Sequence, residues 1–159
     1  MIDINIFDDI RPYEDHEVGA LVEKVLKLSF YNTLIGRFFP GMDPDKLKLA
    51  FLRINSIYDF QVKVIYPILK KLINDTSTGL TYSGFDKLKK GIPNLFISNH
   101  HDIILDPSVL NMLLYENGFN TTKVAIGDNL LRKEWIRDLA RLNKSFIVHR
   151  SPSGKEAYY

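Results

Sequence analysis
Residues 96–110 read FISNHHDIILDPSVL, two adjacent histidines and two aspartates directly after a short apolar run. An imidazole can take a hydroxyl proton near neutral pH, because its unperturbed pKa is about 6.5. It does so best beside a carboxylate that holds the ring and stabilises the imidazolium formed. His101 has four residues between it and Asp106, and His100 has five; Asp102 is a further partner for His100. Asp106 also stands just before Pro107, where an N-cap belongs, and it can cap a helix while facing a histidine. The plain alternative is a pair of solvated loop histidines. No cheap structural reason, however, accounts for Asn99, His100, His101 and Asp102 together.

Such a loop needs elements to hold it. Residues 1–15 are acidic and irregular. From Glu17 onward Val18, Leu21, Val22, Val25, Leu26 and Ser29 recur at spacings of three and four, which predicts an amphipathic helix. Pro40-Gly41 ends that region, and Asp43-Pro44 opens the next helix as cap and first residue. Leu47, Phe51, Ile54, Tyr58, Ile65, Ile68, Leu69 and Leu72 then trace one apolar stripe toward Asn74, kinked or split at Pro67. Residues 1–75 therefore read as a helical region.

Beyond residue 75 the period changes. Strands are expected at 80–83, 94–98, 123–126 and 145–148, with a turn of helix in FDKLKKG. Pro107 marks the first helical position of a segment reaching Glu116. A helix over 130–142 turns Leu131, Trp135, Ile136 and Leu139 inward. Strands alternating with helices predict an α/β fold, a mainly parallel sheet with crossover helices over residues 76–159. Reactive groups gather beyond the carboxyl ends of such strands. The loops at 99–102, 127–129 and 149–150 are expected to converge there. Asp128 or Asn129 reads first as a helix cap and second as a site-lining residue, whereas His16 and His149 show no partner.

Bulk composition narrows the function. At 159 residues, 45% apolar and 25% charged, the chain has the make-up of a globular domain with a real core. A net charge of +2 gives no ground for a nucleic-acid partner. The absence of cysteine excludes thiolate metal ligands and thiol nucleophiles. No stretch approaches the roughly 18 apolar residues of a membrane span, and no signal-peptide pattern opens the chain. A cytoplasmic setting or the inner membrane face is expected. Between Glu17 and Phe39, Lys24, Lys27 and Arg37 accompany Phe30, Tyr31, Phe38 and Phe39. That segment could lie on an anionic bilayer, but core packing is the first expectation.

SNHHDIILD resembles the first motif of the glycerolipid acyltransferases, the 1-acylglycerol-3-phosphate acyltransferase superfamily, whose hallmark is His, four residues, Asp. His101 and Asp106 have that spacing. Family members usually carry Asn or a small residue just before the His, and here Asn99 precedes His100. Spacing favours His101 as the base, with His100 close behind. NKSFIVHR is similar to the family's second block, an apolar strand closing on Arg, and the resemblance runs over residues 79–150. It implies transfer of a fatty acyl group from acyl-CoA or an acyl carrier protein thioester to a glycerol-phosphate-type hydroxyl of a lipid acceptor. His101 would be the base, Asp106 would orient it, and Arg150 would hold the phosphate, with Asn99 and Asp102 lining the substrate site. No metal or resident cofactor is implied, and peripheral membrane contact is expected. The family's third block, Glu-Gly-Thr-Arg, would follow Arg150, so the expectation is a chain truncated after the second motif, with 76–159 the first part of the acyltransferase domain.

Two rivals use the same residues. Asn-His followed by Asp also resembles the loop of dinuclear metallophosphoesterases, but the upstream Gly-Asp motifs and later histidines of that family are missing. A non-catalytic membrane- or partner-binding module would leave the cluster inert.

Overall fold
A computed structural model of the chain describes residues 7–99 and 101–150. They form two compact units, one reaching Lys63 and resuming from Lys123, the other running from Val64 to Thr122. The compact units therefore do not divide at residue 75.

The first unit is built on helices α1 (Asp15–Leu26), α2 (Tyr31–Phe38), α3 (Pro44–Leu52) and α4 (Ile57–Phe60), followed later by β1 (Val124–Gly127), α7 (Glu134–Leu142) and β2 (Ser145–Val148). In α1 the stripe Val18, Leu21 and Val22 is buried as its spacing demands. The Glu14 N–H donates to the Glu17 carboxylate at 2.8 Å and starts the helix. The helix stops at Leu26, so the Glu17–Phe39 region is two helices and Ser29 is exposed. Three of the four aromatics there make ring contacts within the unit: Phe30 packs on Trp135 at 4.8 Å, and Tyr31 and Phe39 both meet Phe51 edge-on at 6.1 Å.

Asp43 caps α3 by accepting from the Asp45 and Lys46 N–H groups, with Pro44 at the first position. The expected stripe then breaks. The chain leaves helix at Arg53, and the Ser56 hydroxyl caps α4 by accepting the Asp59 N–H at 3.0 Å. The restart rotates the helix face, so Ile57 and Phe60 are buried while Tyr58, expected inward, is 61% exposed.

β1 and β2 pair in parallel, Val124 opposite Ser145 and Gly127 opposite Val148, with α7 as the crossover between them. The fold is α/β, with a small parallel sheet. Side chains alternate along β2, Ser145 and Ile147 buried and Phe146 and Val148 exposed. Residues 8–13 lie alongside: the Ile147 N–H donates to the Ile10 carbonyl at 2.8 Å. Arg141, buried, stacks over the Tyr13 ring and donates to the Arg11 and Asp8 carbonyls. The buried face of α7 is therefore partly polar, with Asp138 accepting from the Tyr13 hydroxyl and the Lys24 ammonium, both at 2.8 Å.

In the second unit α5 (Tyr66–Thr76) packs along α6 (Leu105–Glu116). Proline lacks the N–H that an α-helix needs and crowds the preceding turn. Pro67 sits in the first turn of α5, directly after a π-helical turn at Gln61–Ile65 that opens the hydrogen-bond ladder. Leu69, Met112 and Leu113 form the core of this unit, closed by Ile65, Ile73, Phe85 and Val109. The Glu116 carboxylate accepts from Tyr66 at 2.9 Å and Lys70 at 2.7 Å, tying the ends of the two helices. Residues 80–83 and 94–98, expected as strands, join no sheet among the described residues, and Leu95 and Ile97 are each 87% exposed. The turn of helix in FDKLKKG is a 3-10 turn, Phe85–Lys87.

Candidate active site
The loop before α6 is organised by its two aspartates, each working on the backbone. Asp102 Oδ1 accepts the N–H groups of Ile104 and Leu105 at 2.8 and 2.7 Å, an Asx turn that opens the helix. Those bonds favour the charged form and hold its pKa below the ordinary carboxylate value. Asp106 is therefore not the N-cap: α6 begins at Leu105, two residues before Pro107, behind Ile104, which makes no side-chain cap bond, and Asp102 braces that start from the preceding turn.

Asp106, in the first turn, reaches back: its Oδ2 accepts the backbone N–H of His101 at 2.7 Å and of Asp102 at 2.9 Å. His101 and Asp106 are thus joined through the histidine's main chain. The spacing of four residues has a physical consequence, since it closes a loop around one carboxylate oxygen and fixes where the His101 Cα stands. The His101 side chain and Asn99 are exposed, accessible to a substrate. His100 lies outside the described residues.

At the end of β2 stand His149 and Arg150, which belong to the first unit, whereas His101 and Asp106 belong to the second. Arg150 is exposed and its N–H donates to Asp128 Oδ1 at 3.3 Å. His149, which had no partner legible in the sequence, has two: Nδ1 lies 3.1 Å from Asp128 Oδ2 and Nε2 lies 3.4 Å from Asp9 Oδ2. The Asp128 carboxylate and then that of Asp9 raise the His149 pKa, and His149 in turn lowers that of Asp128. Asp128 and Asn129 lie in a 3-10 turn, Asp128–Leu130, and α7 starts four residues later than expected, at Glu134, without a side-chain cap. Strand register is the signal that could have found the pair. Gly127 faces Val148, so the next residues, 128 and 149, leave the sheet as neighbours.

The first unit carries a parallel strand pair with its crossover helix and an arginine at the carboxyl end of β2, and the second carries the histidine-bearing loop that enters α6. The Acyltransferase family model matches residues 79–158, about half of the 159 residues, and takes in both the histidine motif and Arg150. The chain belongs to the acyltransferase family, within the glycerolipid acyltransferase-like superfamily, and acyl transfer is the general function that membership supports. Neither the curated proteins nor the solved structures yielded a match. Among the described residues no helix is long and apolar enough to cross a membrane, and no three acidic or histidine side chains cluster as metal ligands.

Proposed function
We propose that the chain transfers a fatty acyl group from the thioester of coenzyme A or acyl carrier protein to the hydroxyl of a glycerol-phosphate-type acceptor, in phospholipid synthesis. The observation that carries this is the His101–Asp106 spacing inside the family match, with Asp106 closing the loop on the His101 backbone. The His101 imidazole, or that of His100, takes the acceptor hydroxyl proton as its oxygen attacks the thioester carbonyl. The tetrahedral adduct collapses with loss of the thiolate, which the imidazolium reprotonates. Proton and acyl group both balance, and no acyl-enzyme intermediate and no metal or resident cofactor is required. The Asp106 charge stabilises the imidazolium, Asn99 and Asp102 line the loop, and Arg150 engages the acceptor phosphate with its two-pronged guanidinium. Because lipid acceptors reside in bilayers, the protein works in peripheral contact with the cytoplasmic membrane face.

Acyl transfer to glycerol 3-phosphate and to its monoacyl form, followed with radiolabelled acyl-CoA, tests the reading. Substituting the true base, His101→Ala or His100→Ala, lowers the rate by at least about a hundredfold, the scale of general-base loss. Full activity in both variants would end the mechanism.

A further inference from the structure
The two strand ends of the small sheet build more around Arg150 than a surface charge needs. Asp128 grips both residues that follow β2, holding the His149 ring through Oδ2 and the Arg150 N–H through Oδ1. Asp9 faces the other edge of the same ring. Gly127 supplies the space. A Cβ there would stand 2.9 Å from Arg150 Nε and 2.6 Å from Asn129 Oδ1, closer than real Cβ atoms come to other heavy atoms. The guanidinium therefore rests against the bare backbone of Gly127, and a side chain there would push it aside.

We infer that Asp128 and His149, seated by Gly127, are positioning residues that aim Arg150 at the phosphate of the acceptor. The inference rests on reading Arg150 as the phosphate anchor. A free arginine must freeze several torsions before its fork meets two phosphate oxygens, and fixing the main chain from which it leaves, through the Asp128 bond to the Arg150 N–H, removes part of that entropic cost. Among the described residues, the charged groups bonded to His149 and Arg150 are Asp9 and Asp128. With His149 protonated the four charges cancel. When His149 loses its proton the surplus becomes negative and opposes an anion. Phosphate binding is accordingly stronger below the His149 pKa than above it.

Binding of glycerol 3-phosphate to the intact protein, with glycerol as control, is measured by calorimetry from about pH 5.5 to about pH 8, spanning the histidine titration. Arg150→Ala abolishes phosphate-dependent binding. Asp128→Asn and His149→Gln each weaken it about tenfold, the size of one lost charge-assisted hydrogen bond. His149→Gln also flattens the pH profile, which a purely structural role would not do. Gly127→Ala repeats the loss and shifts the Arg150 Nε–H resonance; should it fail to fold, the two exposed-side-chain variants still decide. If Arg150→Ala binds as the parent does, the anchor reading and this inference fail together. If Arg150→Ala loses binding while Asp128→Asn and His149→Gln keep it, the positioning inference alone is overturned.

Discussion

Asp102 and Asp106 share four backbone N–H bonds, two each, and the division of labour between them makes the site testable at single side chains. An Asp106→Asn substitution retains an oxygen able to accept the His101 and Asp102 N–H groups but removes the charge. If Asp106 stabilises an imidazolium as proposed, that variant keeps its fold by circular dichroism and loses about a hundredfold or more in kcat. A variant with unchanged kcat would reduce Asp106 to a loop brace. The spacing of histidine to aspartate was legible from the sequence, because it is counted along the chain. Which aspartate braces the helix start was not, because Asp102 and Asp106 are both apt for it and differ only in the turn geometry each meets. His149 was missed for a different reason. Its partners Asp128 and Asp9 lie 21 and 140 residues away in the chain, and only strand pairing brings them near.

Among the elements, helices announced themselves best where capping and burial agree. The Asp43-Pro44 start of α3 is such a case, and Asp43→Ala is expected to cost about 1 kcal/mol in urea denaturation. Leu142, fully buried on α7, anchors the crossover between the two strands. Leu142→Ala is expected to cost about 2–5 kcal/mol, and a loss under 1 kcal/mol would contradict its burial. The continuous stripe from Leu47 to Leu72 misled, since a short non-helical break costs the apolar count nothing while turning the helix face, and Tyr58 ended outside. Residues 94–98 have the apolar character of a strand, but a strand exists only with a partner's backbone beside it. Local sequence carries no record of that partner.

For the molecule as a whole, pH dependence follows from the ionised partners. Glu17 and Glu116 have pKa values depressed below their ordinary 4.5, by hydrogen bonds from Arg11 and Lys70 respectively. Asp102 and Asp128 are likewise depressed below 3.8. A group with a lowered folded-state pKa contributes stability that is fully present above its unfolded value and is lost as pH falls through the folded one. Stability should therefore decline on acidification below about pH 4.5, the value from which the glutamates start. His149 acts in the opposite sense. Its raised pKa contributes stability below 6.5 that is lost as pH rises through the folded value. Urea midpoints measured across this range should fall at the acid end, and Glu116→Gln should shallow that fall. An acid limb unaltered by Glu116→Gln would place the linkage elsewhere.

The sequence alone determined the family, the spacing of histidine and aspartate, the amphipathic helices and the last two strands, because each is a pattern among near neighbours. Tertiary structure decided how Asp102 and Asp106 bind the loop, where helix faces reset, and that Asp128, His149 and Gly127 surround Arg150. Those depend on which backbone lies beside which, and register between distant segments is set by packing that no local pattern encodes.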